Sequence, residues 1–122
     1  MPLPIYFNLY LITDRHQLPA GQTLPAVIEA ALQGGVQAVQ LREKDLSVAD
    51  LLPLAQELRS LTRQYGARLL INDKIAVALA VDADGVHLGG HSQPTEVVRR
   101  RIGREMLIGV STHNNGEIQT AC

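Results

Sequence analysis

Residues 36–61 read VQAVQLREKDLSVADLLPLAQELRSL, and the fold turns on how this stretch divides. Val36 to Leu41 is a compact strand that runs straight into the charged group Arg42, Glu43, Lys44 and Asp45. Ser47 then stands where a helix cap belongs, with Asp50 at the acidic capping-box offset. Leu51, Leu54, Ala55, Leu58 and Leu61 recur along one face of the helix that follows. Pro53 falls in the early turns of that helix, where a kink can form. Strand, polar break and amphipathic helix together make one β/α unit.

The same rhythm extends in both directions. Upstream, Phe7 to Thr13 (FNLYLIT) is a short β-rich strand ending at Thr13, Asp14 and Arg15, and Leu24 to Leu32 has helical apolar spacing stopped by Gly34-Gly35. Downstream, Arg68 to Ile71 is a strand ended by Asn72-Asp73, and Ile75 to Val81 is a short helix. Gly85 to Leu88 is a fourth strand, and Pro94 to Ile102 is its helix, with Pro94 near the first helical position. Met106 to Val110 is a fifth strand, and a fifth helix is expected to begin before Cys122.

Strands alternating with helices imply right-handed crossovers and a parallel sheet. The near-continuous apolar strands suit a sheet covered on both faces. An open doubly wound sheet competes, but the glycine-rich GxGxxG turn expected after its first strand is absent. The expectation is one α/β domain over residues 1–122: a partial TIM-type (β/α) barrel with about five parallel strands, four helices and the start of a fifth.

Composition narrows the function classes. Lys+Arg number 11 against 12 for Asp+Glu, a net charge of −1, so no global field draws the chain to nucleic acid or to an anionic membrane. An acidic ligand must be captured locally. No apolar run nears the ~20 residues that span a bilayer. The lone Cys122 forms no intrachain bridge, in keeping with a reducing compartment. A cytoplasmic protein is expected.

Parallel β/α units bring every strand's carboxyl end to one side, where barrel enzymes build their sites. Arg42 and Lys44, two cations one residue apart, suit the gripping of a phosphate or diphosphate; the plainer reading is a solvated charge run. Asn72-Asp73 suits a cap for the following helix, and Asp73 also suits Mg²⁺ as a hard oxygen ligand. His113, after Ser111-Thr112, could exchange a proton near neutral pH, whereas His87 reads as a satisfied wall residue. The run Arg99, Arg100, Arg101 reads as a solvated helix face.

Five ordered strand-end segments carry a resemblance: YLITD at Tyr10 to Asp14, QLREKD at Gln40 to Asp45, INDK at Ile71 to Lys74, ADGVHLG at Ala83 to Gly89 and IGVSTHN at Ile108 to Asn114. Together they resemble the thiamine phosphate synthase family and its relative TenI, the thiazole tautomerase. The resemblance implies thiamine biosynthesis by a transferase that joins a hydroxymethylpyrimidine diphosphate to a thiazole phosphate. It implies that Gln40, Arg42 and Lys44 hold the pyrimidine and its diphosphate, that Asn72 contacts the pyrimidine, that Asp73 binds Mg²⁺ and that Ser111 touches the diphosphate end. Where the synthase offers Gly-Gln-x-Asp, this sequence has Gly89, Gly90, His91 and Ser92, closer to TenI, in which a His at the place of His113 serves proton transfer. The alternatives are thus a tautomerase, a non-catalytic module that binds the pyrimidine diphosphate, or an incomplete, non-functional fragment. The later barrel strands, with the thiazole-binding segment, are not in this sequence, so an open half-barrel with two exposed edges would associate with the missing half or form a homo-oligomer.

Overall fold

The structure is a computed structural model, and it describes residues 10–89, 95–102, 106–111 and 118–121. The elements run β1 (Tyr10–Ile12), α1 (Leu24–Gln33), β2 (Ala38–Leu41), α2 (Val48–Gln64), β3 (Arg68–Asn72), α3 (Ile75–Ala80), β4 (Gly85–Leu88), α4 (Thr95–Ile102), β5 (Leu107–Ser111) and β6 (Ile118–Ala121). A short 3₁₀ turn occupies Arg15–Gln17 between β1 and α1.

Local chemistry accounts for the helix starts. Thr23 caps α1 by accepting from the Ala26 N–H, and Ser47 caps α2 by accepting from the Asp50 N–H, so each hydroxyl satisfies one of the donors orphaned at a helix start. Pro53 lies within α2 without ending it. Gly66, with φ of 67°, occupies the left-handed turn that leads from α2 toward β3.

The sheet has the order β1-β2-β3-β4-β5-β6, with β1 through β5 mutually parallel. Sequential parallel neighbours joined by helices are the beginning of a (β/α) barrel. Strand residues alternate between the two faces. Val39, Leu41, Leu69, Ile71, Val86 and Ile108, all 0% exposed, form one face. They pack in one core cluster with Leu24, Ile28 and Leu32 of α1, Leu51, Ala55 and Leu58 of α2, Val77 and Ala78 of α3 and Val98 of α4.

The expected fifth helix is corrected. Residues 118–121 form β6, which pairs antiparallel with β5, Ser111 opposite Ile118 and Ile108 opposite Ala121. Ile-Gln-Thr-Ala is too short for periodicity to separate helix from strand, and the unpaired edge of β5 supplies the hydrogen bonds that settle it. The same pairing occupies the edge of β5 and leaves β6 as the outer strand of the sheet among the described residues. No helix among the described residues is long and apolar enough to cross a membrane.

Candidate active site

Opposite the helix-facing side chains lies a second sheet face, and a polar row crosses it. The Gln40 amide donates to the Tyr10 hydroxyl, and Asn72 Nδ2 donates to Gln40 Oε1 at 3.1 Å. His87 stands beside Asn72 in the register of β3 and β4, and Gly109 stands beside His87 in that of β4 and β5. A Cβ at residue 109 would lie 2.9 Å from His87 Nδ1, so only glycine leaves the imidazole its place. Gln40, Asn72 and His87 are all buried. Burial pushes the His87 pKa down, and the nearby charge of Arg42 lowers it further, so this wall is neutral at pH 7. Burial raises the Tyr10 pKa, while its bond from Gln40 works weakly in the other direction.

At the carboxyl ends of β1 and β2 the alternation continues into the charged segment. Arg42 and Lys44 are exposed, and Glu43 between them is buried. Thr13 Oγ1 donates to Glu43 Oε2 at 2.6 Å and accepts from the Arg42 N–H at 3.0 Å. Glu43 Oε1 also accepts from the Arg15 N–H at 3.0 Å. An open cleft of about 220 Å³ is lined by Thr13, Asp14, His16, Arg42, Glu43, Lys44 and Asp45. A smaller cleft beside it is lined by Glu43, Lys44, Leu51, Asn72, Asp73 and Lys74. Lys44 borders both, so the β2 and β3 ends form one continuous rim.

The capping role open to Asn72 and Asp73 is not taken by either. The residue preceding α3 is Lys74, which makes no side-chain cap bond, and Asn72 ends β3 with its amide turned to Gln40. Asp73 has φ of 64°, in the left-handed region that Asp tolerates better than most residues. Its N–H donates to the His87 carbonyl at 2.8 Å, tying the β3 and β4 ends together.

Of the residues singled out from sequence, Gln40, Arg42, Lys44, Asn72 and Asp73 gather at the strand ends of β2 and β3. Ser111 closes β5 on the same edge of the sheet. His113, and Ser92 with its neighbours His91 and Gly90, lie outside the described residues. Among the described residues, no group of three or more His, Cys, Asp or Glu is placed to hold a metal. Asp73 is a single hard-oxygen donor beside a cationic rim, a set that fits Mg²⁺ only where substrate oxygens complete the shell. Sequence reasoning left Arg15 and Glu43 unassigned. Extending the two-residue period of β2 past Leu41 would have found Glu43, because it puts Arg42 and Lys44 on the Gln40 side and Glu43 opposite.

Residues 9–122 match the model of the TMP-TENI family, thiamine monophosphate synthase. The chain belongs to this family. It is 58% identical over 110 residues to a putative thiamine-phosphate synthase of Geobacter sulfurreducens, covering 90% of this chain and 51% of that protein. It is 45% identical over 112 residues to the thiamine-phosphate synthase of Clostridium novyi, covering 92% of this chain and 54% of the relative. A solved structure of thiamine phosphate pyrophosphorylase from Pyrococcus furiosus superposes with a TM-score of 0.78 at 40% identity, over 87% of this chain and 50% of that one. The chain thus spans about half the length of the thiamine monophosphate synthase relatives it matches.

Proposed function

We propose that this chain carries the pyrimidine-diphosphate half of a thiamine-phosphate synthase site in thiamine biosynthesis. The observation that carries the reading is the continuity of the rim: the Gln40–Asn72 pair lies beside two exposed cations and Asp73. Gln40 and Asn72 offer amide donors and acceptors to the edge of a pyrimidine ring. Arg42 and Lys44 take the diphosphate, and Ser111 its far end. Asp73 would hold Mg²⁺, which, when bound, neutralises charge on the leaving diphosphate.

In the reaction the bond from the pyrimidine methylene carbon to the diphosphate oxygen breaks, and the diphosphate keeps the electron pair. The thiazole nitrogen then donates its pair to the methylene carbon and forms the new C–N bond. Arg42 and Lys44 stabilise the charge that grows on the departing oxygens, the usual electrostatic route to a lower barrier. A neutral His87 adds no positive charge next to a carbon that is becoming cationic.

A second reading is a TenI-like tautomerase, favoured by the lack of a carboxylate across Gly89, Gly90, His91 and Ser92, with His113 moving the proton. Association with a further copy, or with the remaining barrel units, belongs to the same proposal, because the thiazole half of the site must be supplied to this chain. Light scattering that found a monomer both alone and with the remaining units would remove that part.

The deciding experiment is calorimetric titration with Mg²⁺ and hydroxymethylpyrimidine diphosphate. The expected result is binding by the wild type that falls by about two orders of magnitude in Arg42→Ala, the scale of one lost charge-assisted contact. Equal affinity in the two proteins would overturn the reading.

A further inference from the structure

The segment Arg42-Glu43-Lys44-Asp45 contains its own neutralising acids, one after each cation. Left unpaired beside the cations, those acids would lower the positive potential that the run offers an anion. The structure shows a different allocation. Arg15, from the turn after β1, lies across both acids: its Nε is 3.2 Å from Glu43 Oε1 and its Nη2 bonds Asp45 Oδ2. His16 Nε2 adds a contact to the same Asp45 oxygen at 3.1 Å. Glu43 is also held by the Thr13 hydroxyl and the Arg15 N–H, and its side chain is 1% exposed. Among the described residues, no acidic side chain lies within ion-pair distance of Arg42 or Lys44.

We infer that Arg15 is a positioning residue: by occupying Glu43 and Asp45 it leaves Arg42 and Lys44 un-neutralised and turned to the rim, where they take the diphosphate. The inference rests on the diphosphate reading above. A carboxylate only accepts hydrogen bonds, so the one Thr13 proton must go to Glu43. That leaves a Thr13 lone pair for the Arg42 N–H, and the same clamp therefore sets the backbone from which the Arg42 side chain departs. Arginine suits the task because its delocalised charge lies within ion-pair distance of Glu43 at Nε, which itself makes no hydrogen bond, while Nη2 hydrogen-bonds Asp45, a reach that a compact ammonium lacks. The Arg15 bond also holds the Asp45 carboxyl below its usual range, so the acid is ionised and paired at neutral pH.

The test is calorimetric titration of the chain with inorganic diphosphate. Arg15→Gln is expected to bind about tenfold more weakly, a smaller loss than that of Arg42→Ala because Arg15 acts through Asp45, which is released toward Lys44 and Arg42, and loses no direct contact with the anion. Adding Asp45→Asn to Arg15→Gln is expected to restore most of that loss, which a merely structural role for Arg15 would not do. Arg15→Lys, which keeps a charge beside buried Glu43, should fall between wild type and Arg15→Gln, and it serves if Arg15→Gln does not fold. Wild-type affinity in both Arg15 variants would overturn the inference, as would a double variant no better than Arg15→Gln. Failure of the diphosphate reading is separate: it shows as absent binding by the wild type or undiminished binding by Arg42→Ala, and either result takes this inference down with it.

Discussion

Asp73 combines an uncommon backbone with a chemically useful side chain. Its φ of 64° is in the region where a Cβ crowds the following carbonyl, at a cost of roughly 1–2 kcal/mol for most residues. Asp73→Gly removes that crowding, whereas Asp73→Ala keeps it and loses the polar side chain that makes the conformation tolerable. Urea unfolding is expected to find Asp73→Ala less stable than Asp73→Gly by about 1 kcal/mol, and both should lose Mg²⁺-dependent binding. Equal stability would mean the backbone there carries no strain. Gly109 makes the complementary point, since the methyl group of Gly109→Ala would sit 2.9 Å from His87 Nδ1. That substitution should cost about 1–3 kcal/mol, the range for overpacking, and should shift the His87 imidazole resonances.

At the scale of elements, helix α1 was legible from its apolar spacing and the Gly34-Gly35 stop, and helix α2 from the Ser47 cap and a long apolar stripe that agree. Ser47→Ala is expected to lower stability by about 1 kcal/mol in thermal unfolding, because the Asp50 N–H loses its acceptor. Strands β2, β3 and β4 were equally clear, each an apolar run ending in charged or amide residues. The C-terminal segment was not, since four residues hold too little periodicity and the deciding partner was the edge of β5. Arg42, Lys44 and Asp73 stood out in the sequence because their residue types announce chemistry, and the strand order alone puts them at one end of the sheet. Glu43 was missed because a carboxylate flanked by two cations looks solvated in sequence. Its burial depends on Thr13 and Arg15, about 30 residues away, which only the β1–β2 pairing brings alongside.

The described residues form a sheet, parallel except for β6, with helices against one face and a polar row on the other, and the stability of the fold should carry the signature of that row. His87 has its pKa lowered mainly by burial, so the folded chain takes up the proton at a lower pH than the unfolded chain, whose imidazole titrates near about 6.5. Between those two values the unfolded state binds more protons, and stability must rise with pH through that window. Acidification from pH 7.5 to 5.5 is therefore expected to destabilise the wild type, and the effect should level off once folded His87 is itself protonated. Asp45, whose pKa is lowered by its bond from Arg15, acts in a separate window below about pH 4 and leaves this range undisturbed. In His87→Gln the side chain stays polar but no longer titrates, so the slope between pH 7.5 and 5.5 should flatten. Denaturant midpoints at the two pH values, measured on both proteins, decide the matter. Parallel pH dependence in wild type and variant would show that the sheet does not disfavour the charged form of His87 and that this wall takes up a proton as readily as an exposed imidazole.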